Sequence, residues 1–176
     1  METPHDRVPD RELVRRELTY ELGVLDYCYS ALLDGWGLGA ESNLPLGTLT
    51  ALLESFLVHV RVLDEFLGAG ATRSDDLRAK QLAAAWDRPG FLEPEIRTAI
   101  NKQLTHLTDP RADRPLWDVN RLAGEAGRCF LAWFDTLDDE TADILRPTVE
   151  SATRIVDRSS QESWHRLNLG FRWETN

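Results

Sequence analysis

The sequence predicts an all-α fold, a single-domain antiparallel helical bundle of about five or six helices. Three observations lead to this prediction. Apolar residues recur at three- and four-residue steps along most of the chain, which is the pattern of a helix with one buried face. Clusters of Gly, Pro and Asp divide these periodic segments into stretches of helical length. The apolar and polar alternation typical of a half-buried strand does not stand out between them.

Length and composition favour one domain over residues 1–176. With 176 residues and 42% hydrophobic content, the chain can bury a sizeable core without disulfides or structural metals. Residues 1–9 and 165–176 are expected to be flexible or partner-docked tails. Cys28 and Cys129 are predicted to be buried free thiols in a reducing compartment. The chain shows no secretory signal and no apolar run of about 20 residues, so we expect a cytoplasmic protein without a membrane span.

The overall charge restricts the nucleic-acid partners that we expect. The chain has 20 Lys and Arg against 30 Asp and Glu, a net charge of -10. Broad binding of duplex DNA is therefore not expected, because the phosphates would be repelled. Arg111 and Arg114 form a local basic patch, and these two residues are the candidate substrate-binding residues for a local nucleic-acid contact.

The first two helices are predicted over residues 10–33 and 48–67. The second is apolar almost all round, which predicts that it is the central helix of the bundle. The predicted buried face of the first helix consists of Leu18, Leu22, Leu25, Tyr29 and Leu32.

The second helix also carries a candidate structural polar cluster. Glu54, Arg61 and Asp64 fall on one stripe at about 100 degrees per residue. The stripe is interpreted either as a buried ionic cluster that fixes how helices meet or as a solvated groove. His59 lies among Leu, Val and Phe residues and is predicted to be buried and hydrogen-bonded, with a role in a functional site as the alternative.

Two segments with helix-start signals follow. Ser74 can cap a short helix that runs to Trp86, since its hydroxyl can accept hydrogen bonds from the free amides of the first turn. After a break, Pro94 opens a helix that runs to about Leu107.

The last two helices are predicted to end at about Leu137 and to cover about 139–159, with Pro147 as a kink or a break. Gly124 and Gly127 are predicted to allow a close helix crossing. The predicted inward face of the last helix consists of Leu145, Val149, Ala152 and Val156.

The helix that Pro94 opens ends in a candidate site. His106 lies one turn after Lys102 and flanks the apolar face, so both side chains can point toward one cleft, with Asn101 nearby in sequence. An ordinary surface histidine is the alternative interpretation of His106.

Two stretches, LLESFLVHVRVLDEF and INKQLTHL, resemble segments of bacterial HEPN-type proteins. The resemblance implies a helical bundle that forms a homodimer. In that superfamily an Arg, four to six intervening residues and a His form a metal-independent ribonuclease site across the dimer cleft. Asn101, four residues and His106 fit this frame, with Asn in the place of Arg. The resemblance thus implies that His106 is the catalytic acid and base, that Asn101 orients the phosphate and that Lys102 or Arg111 supplies charge.

Three functions remain open. The first is a HEPN-like dimer that acts on RNA and is linked to a toxin-antitoxin or defence system. The second is a non-enzymatic protein-interaction module, such as an antitoxin or accessory subunit, which the missing Arg and the acidic composition favour. The third is a metal-binding bundle similar to the DinB-like proteins, in which His59, His106 and His165 converge on one ion. Neither of the first two requires a metal or a cofactor, and no glycine-rich phosphate loop or Cys/His cluster is present.

Overall fold

The computed structural model describes residues 9–36, 44–68, 76–105 and 117–161. The all-α bundle predicted from the sequence is confirmed. None of the described helices combines the length and the apolar character that a membrane span requires. The predicted tails lie outside the described residues, apart from Pro9. The described helices are α1 (Arg11–Trp36), α2 (Leu46–Leu67), α3 (Pro94–Thr105), α4 (Val119–Phe134) and α5 (Asp139–Gln161).

Helices α1 and α5 pack side by side and run in the same direction. An ion pair of 2.9 Å joins Arg11 to Glu140 near the start of both helices. A second ion pair, of 2.8 Å, joins Asp26 to Arg154 about four turns further along both. The end of α5 at Gln161 therefore lies at the same end of the bundle as the end of α1.

Helix α2 has the central position that its apolar sequence predicts. It packs against α1, α3, α4 and the segment between α2 and α3. Its buried residues include Phe56, Leu57 and Leu63, and each of these side chains is fully removed from solvent. The helix is not fully enclosed, because Val58 is 40% exposed.

The helix predicted from Ser74 to Trp86 is wrong for the part that the structure describes. A single 3-10 turn covers Ala79–Gln81, and separate turns follow it. Two indole N–H groups bind the ends of this segment to the bundle: Trp86 donates to the carbonyl of Leu67 at 2.7 Å, and Trp133 donates to the carbonyl of Ala79 at 3.2 Å. Anchoring of this kind outweighs helix propensity in a segment too short to gain much from helix propagation.

Helices α4 and α5 cross closely, as the two glycines of α4 predict. A Cβ atom at Gly127 would lie 2.8 Å from Cγ2 of Val156 and 3.1 Å from the carbonyl oxygen of Ala152. A Cβ atom at Gly124 would lie 2.6 Å from Oγ of Ser159. The absence of side chains on α4 therefore lets the two antiparallel helices approach each other.

Helix α5 departs from its prediction in the face that it buries. Leu145 and Ala152 are buried as predicted, but Val149 and Val156 are only half-buried. The buried stripe instead contains polar Thr148, whose hydroxyl donates to the carbonyl of Leu145 at 2.6 Å and so remains hydrogen-bonded inside the core. Pro147 lies inside the helix, which continues to Gln161.

The turn between α4 and α5 explains why α4 ends at Phe134, before the predicted end at Leu137. The carboxylate of Asp138 accepts hydrogen bonds from the backbone N–H of Thr141 at 2.8 Å and from its hydroxyl at 2.9 Å. These bonds lower the pKa of Asp138. Asp138 thus caps the start of α5, and the turn between α4 and α5 ends at this residue.

Candidate functional site

The candidate ribonuclease residues are only partly described. Asn101 and Lys102 lie on α3, where Asn101 is half-buried and Lys102 is exposed. His106, Arg111 and Arg114 lie outside the described residues. The cleft predicted for Asn101, Lys102 and His106 therefore stays a prediction, as does the basic patch of Arg111 and Arg114.

The prediction that His59 is buried and hydrogen-bonded is confirmed. The residue is 8% exposed, and its Nδ1 lies 2.6 Å from Oε2 of Glu21 on α1. The ring also meets Tyr20 edge-on, with ring centroids 5.7 Å apart. His59 therefore joins α2 to α1 on the side of the bundle where Tyr20 faces solvent.

Asp64 has a different role from His59. Its side chain is fully buried, and its Oδ1 accepts the backbone N–H groups of Phe91 and Leu92, both at 2.8 Å. Its Oδ2 accepts a hydrogen bond of 2.7 Å from Nε of Arg97. Gly90 passes close to Oδ1 with a positive φ of 95°, where a Cβ atom would collide with the carboxylate. Asp64 thus holds the turn before α3 against α2.

The rest of the charged stripe does not form one cluster with Asp64. Arg61 pairs with Glu65 one turn along α2 at 2.8 Å, and their side chains are 32% and 41% exposed. Among the described residues, no ion pair joins Arg61 to Glu54. The prediction of one buried cluster that includes Asp64 is wrong, because three residues along a helix turn Asp64 about 60 degrees away from Arg61 and toward α3. For the half-buried Glu54 and Arg61, the alternative of a solvated stripe stays a prediction.

A pocket of about 280 Å³ lies between α1, α2 and residues 76–77, and we term it the α1–α2 pocket. Four carboxylates and no Lys or Arg belong to this lining. From outside it, Arg16 pairs with Glu17, Arg61 pairs with Glu65, and His59 bonds Glu21. The apolar lining consists of Val14, Leu18, Val62, Leu63, Phe66 and Leu77. The acidic rim consists of Glu17, Glu21, Glu65 and Asp76.

Four large apolar side chains in the described part of the chain are more than a third exposed, and all four lie on α1 or α2. They are Leu13 (37%), Tyr20 (60%), Tyr27 (68%) and Val58 (40%). Single exposed apolar residues are common, but a group of them on one surface often marks a binding site. We term these four residues the α1–α2 face. The face and the pocket are continuous, because Tyr20 contacts His59 and His59 binds Glu21 of the rim.

Sequence reasoning missed this surface. It treated the apolar positions of α1 as one buried stripe and did not identify Leu13, Tyr20 and Tyr27. These three residues recur at seven-residue steps, on a side of the helix that differs from the core stripe. A second apolar stripe of this kind was the signal that could have revealed the face.

The two cysteines and the single histidine within the described ranges do not suggest nucleophilic or metal chemistry. Cys28 and Cys129 are buried and free, as predicted. Burial raises the pKa of both thiols, that of Cys129 to about 11, so neither is a ready thiolate nucleophile. In the part of the chain that the structure describes, no three His, Cys, Asp or Glu side chains could hold a metal ion. His106 and His165 lie outside that part, so the three-histidine site stays a prediction.

No family model, curated protein or solved structure matches this chain. The resemblance to HEPN-type proteins therefore stays a prediction. The α1–α2 pocket and the α1–α2 face are the described features from which a function can be inferred.

Proposed function

We propose that the chain is a non-enzymatic interaction module that binds a basic, aromatic segment of a partner protein on the α1–α2 face and pocket. The observation that carries the proposal is the exposed pair Tyr20 and Tyr27 on α1, the helix that also lines a pocket with acidic and apolar side chains. Tyrosine rings supply a large contact area with little loss of conformational freedom, and they are enriched at protein interfaces.

The charge of the pocket supports a basic partner. An arginine or lysine can lay its methylene groups on an apolar surface while its charged end meets carboxylates. Glu17, Glu21, Glu65 and Asp76 offer such carboxylates above the apolar lining. The net charge of -10 should also speed encounters with a cationic segment, whereas it repels RNA at this surface.

The buried ionisable groups support binding over catalysis at this surface. His59 is tied to Glu21, and both oxygens of Asp64 accept hydrogen bonds from the turn before α3 or from Arg97. These contacts connect helices to each other and leave neither group directed at an open cleft. The alternative function of a ribonuclease depends on His106 and is open to a direct test of RNA cleavage.

A library of random peptides displayed on phage tests the proposal. Peptides enriched on the purified chain should combine Arg or Lys with aromatic residues. They should bind the double variant Tyr20→Ala/Tyr27→Ala roughly ten-fold more weakly or worse, since loss of a central aromatic residue commonly costs about 1.4 kcal/mol or more. Both tyrosines are exposed, so the fold should survive the change.

Arg146→Ala is the matched control, because this exposed side chain pairs with Asp143 of the same helix, α5, which packs against α1 and α4. It should bind the selected peptides as the wild type does. Enrichment of acidic peptides, or of peptides that bind equally without Tyr20 and Tyr27, would contradict the proposal.

A further inference from the structure

The side of α1 that faces solvent carries an apolar stripe along most of the helix. Leu13, Tyr20 and Tyr27 recur at seven-residue steps and are 37%, 60% and 68% exposed. Asp34 continues this spacing in the last turn of α1. Seven-residue steps keep side chains within about 20 degrees of each other, and apolar residues at this spacing are typical of helices that pair. We term this side of α1 the outer stripe, and it consists of Leu13, Arg16, Tyr20, Gly23, Val24, Tyr27, Ala31 and Asp34.

The outer stripe lies between the two sides on which α1 contacts α2 and α5. Glu21 faces α2, where it binds His59, and Asp26 faces α5, where it pairs with Arg154. Tyr20 precedes Glu21 and Tyr27 follows Asp26, so each tyrosine leaves the helix about 100 degrees away from that contact. The two rings are therefore available to a further molecule.

The charges of the outer stripe are balanced, although the whole chain has a net charge of -10. Arg16 lies near the beginning of the stripe, and its side chain is 71% exposed. Its Nε and Nη2 donate to Glu17, and the guanidinium has further N–H groups to donate. Asp34 is exposed at the other end, where the last turn of α1 holds no basic residue. A cation from another molecule would stabilise Asp34 at this negative end of the helix dipole.

We infer that two copies of the chain pair through the outer stripes of their α1 helices, antiparallel and about a two-fold axis between Gly23 and Val24. A surface with a cation at one end and an anion at the other is complementary to an antiparallel copy of itself. In this register Tyr20 of each copy faces Tyr27 of the other, because both lie about 5 Å from the axis along the helix. Gly23 lies at the crossing, where the absence of a side chain lets the two backbones approach.

The same register brings the two charged ends together. Arg16 and Asp34 lie about 11 and 16 Å from the axis, on opposite sides of it. Arg16 of one copy therefore comes within one helical turn of Asp34 of the second copy. The pairing forms this contact twice.

The size of the outer stripe indicates a weak and reversible dimer. A fully buried aromatic side chain removes about 150–250 Å² from solvent, so the four partly exposed tyrosines of a pair contribute roughly 500 Å². With the rest of the stripe the interface reaches about 1,000 Å², the lower end for specific interfaces, and we expect a dissociation constant on the order of 10–100 μM. The pairing goes beyond the proposed function, because it requires no partner segment. A partner segment that binds Tyr20 and Tyr27 competes with it.

Sedimentation equilibrium of the full chain, from about 1 μM to about 1 mM, measures the pairing. We expect a single monomer–dimer equilibrium in this range. Tyr20→Ala/Tyr27→Ala should weaken it about ten-fold or more, whereas the exposed Arg146→Ala on α5 should leave it unchanged. A chain that is monomeric at the highest concentration overturns the inference. Species larger than a dimer also overturn it, since a two-fold interface closes on itself.

Charge reversal tests the antiparallel register. Arg16→Asp places two carboxylates opposite each other at both ends, and Asp34→Arg places two guanidinium groups there, so each should weaken the dimer about ten-fold. Arg16→Asp/Asp34→Arg restores opposite charges and should return the affinity to within about three-fold of the wild type. Both positions are exposed, so the fold should survive these changes. A double variant that dimerises as weakly as either single variant overturns the register.

Disulfide formation under mild oxidation tests where the axis lies. In Gly23→Cys the new thiols of the two copies meet at the axis, within the short reach of a disulfide. Gly23 has no atom within 4 Å of its Cβ position, so the variant should fold. Ser30→Cys, seven residues further along, is the matched control, because its two copies lie about 20 Å apart in antiparallel pairing and side by side in parallel pairing. We expect linked dimers from Gly23→Cys alone, and equal linking in both variants overturns the inference.

The two proposals can fail separately. Asp34→Arg is expected to be largely monomeric and keeps both tyrosines, so it should bind the selected library peptides at least as tightly as the wild type. A dimer that responds to charge reversal, without any library peptide that requires Tyr20 and Tyr27, would remove the partner and keep the pairing. Peptides that require the tyrosines, on a chain that stays monomeric at about 1 mM, would keep the partner and remove the pairing.

Discussion

Replacement of Asp64 tests the account of how α3 is held to α2. In Asp64→Ala, the N–H groups of Phe91 and Leu92 lose their acceptor, and Arg97 loses its carboxylate. Each hydrogen bond to a charged group contributes about 1.5–3 kcal/mol, and loss of one member of a buried ion pair costs about 3–5 kcal/mol. Because Arg97 is one-third exposed and can recover some hydration, we expect a loss of about 4 kcal/mol in the free energy of unfolding.

Urea unfolding at 25 °C, followed by far-UV circular dichroism, measures this loss as a lower midpoint at constant slope. Arg61→Ala is the matched control on the same helix, since the pair that it forms with Glu65 is partly exposed and should contribute less than about 1 kcal/mol. Asp64→Asn should lie between the two variants, because the amide oxygen can still accept from Phe91 and Leu92 but the charge facing Arg97 is lost.

The comparison between the Asp64 and Arg61 variants shows whether burial determines how much stability is lost. If Asp64→Ala and Arg61→Ala unfold within about 1 kcal/mol of each other, the reasoning from burial and hydrogen bonding is refuted. A changed slope in Asp64→Ala would instead show that α3 detaches before the rest of the bundle unfolds.

Three further predictions address the helix crossing, a buried thiol and the alternative function. Gly127→Ala should destabilise the fold by about 1–2 kcal/mol, because the added Cβ meets Val156 and the α5 backbone. Gly23 has open space around it, so Gly23→Ala should stabilise the helix by up to about 1 kcal/mol. Thermal melts compare the two variants. Since burial raises the pKa of the Cys129 thiol from 9.0 to about 11, the folded state keeps its proton longer than the unfolded state, and stability should fall between pH 9 and 11. Cys129→Ala should flatten that part of the stability profile, and an unchanged slope would contradict the shift. The purified chain should cleave RNA without metal no faster than His106→Ala, and cleavage confined to the wild type would support the ribonuclease instead.

The long helices could be predicted because local pattern and tertiary packing agree in them. Helix α4 buries an apolar face from Val119 to Trp133, and Gly127 meets α5 closely, as the glycine positions predicted. The segment before Trp86 was wrongly predicted to be a helix from its capping residue, Ser74. Its conformation depends on carbonyl groups that bind the indoles of Trp86 and Trp133, and one of these indoles comes from a distant part of the chain.

The burial of single polar residues was predictable, but the identity of their partners was not. The neighbours of His59 on α2 are apolar, and this alone requires a hydrogen bond for a buried ring. The partner is Glu21 because of the way α1 and α2 are aligned, and helical periodicity does not specify that alignment. The same holds for Asp64 and Arg97, which are far apart in sequence and meet because the turn before α3 folds back on α2.

The exposure of Tyr20 and Tyr27 could not be predicted either, because it too depends on how the helices pack. Periodicity identifies which residues share a side of α1, but only the packed bundle shows that α2, α4 and α5 leave this side uncovered.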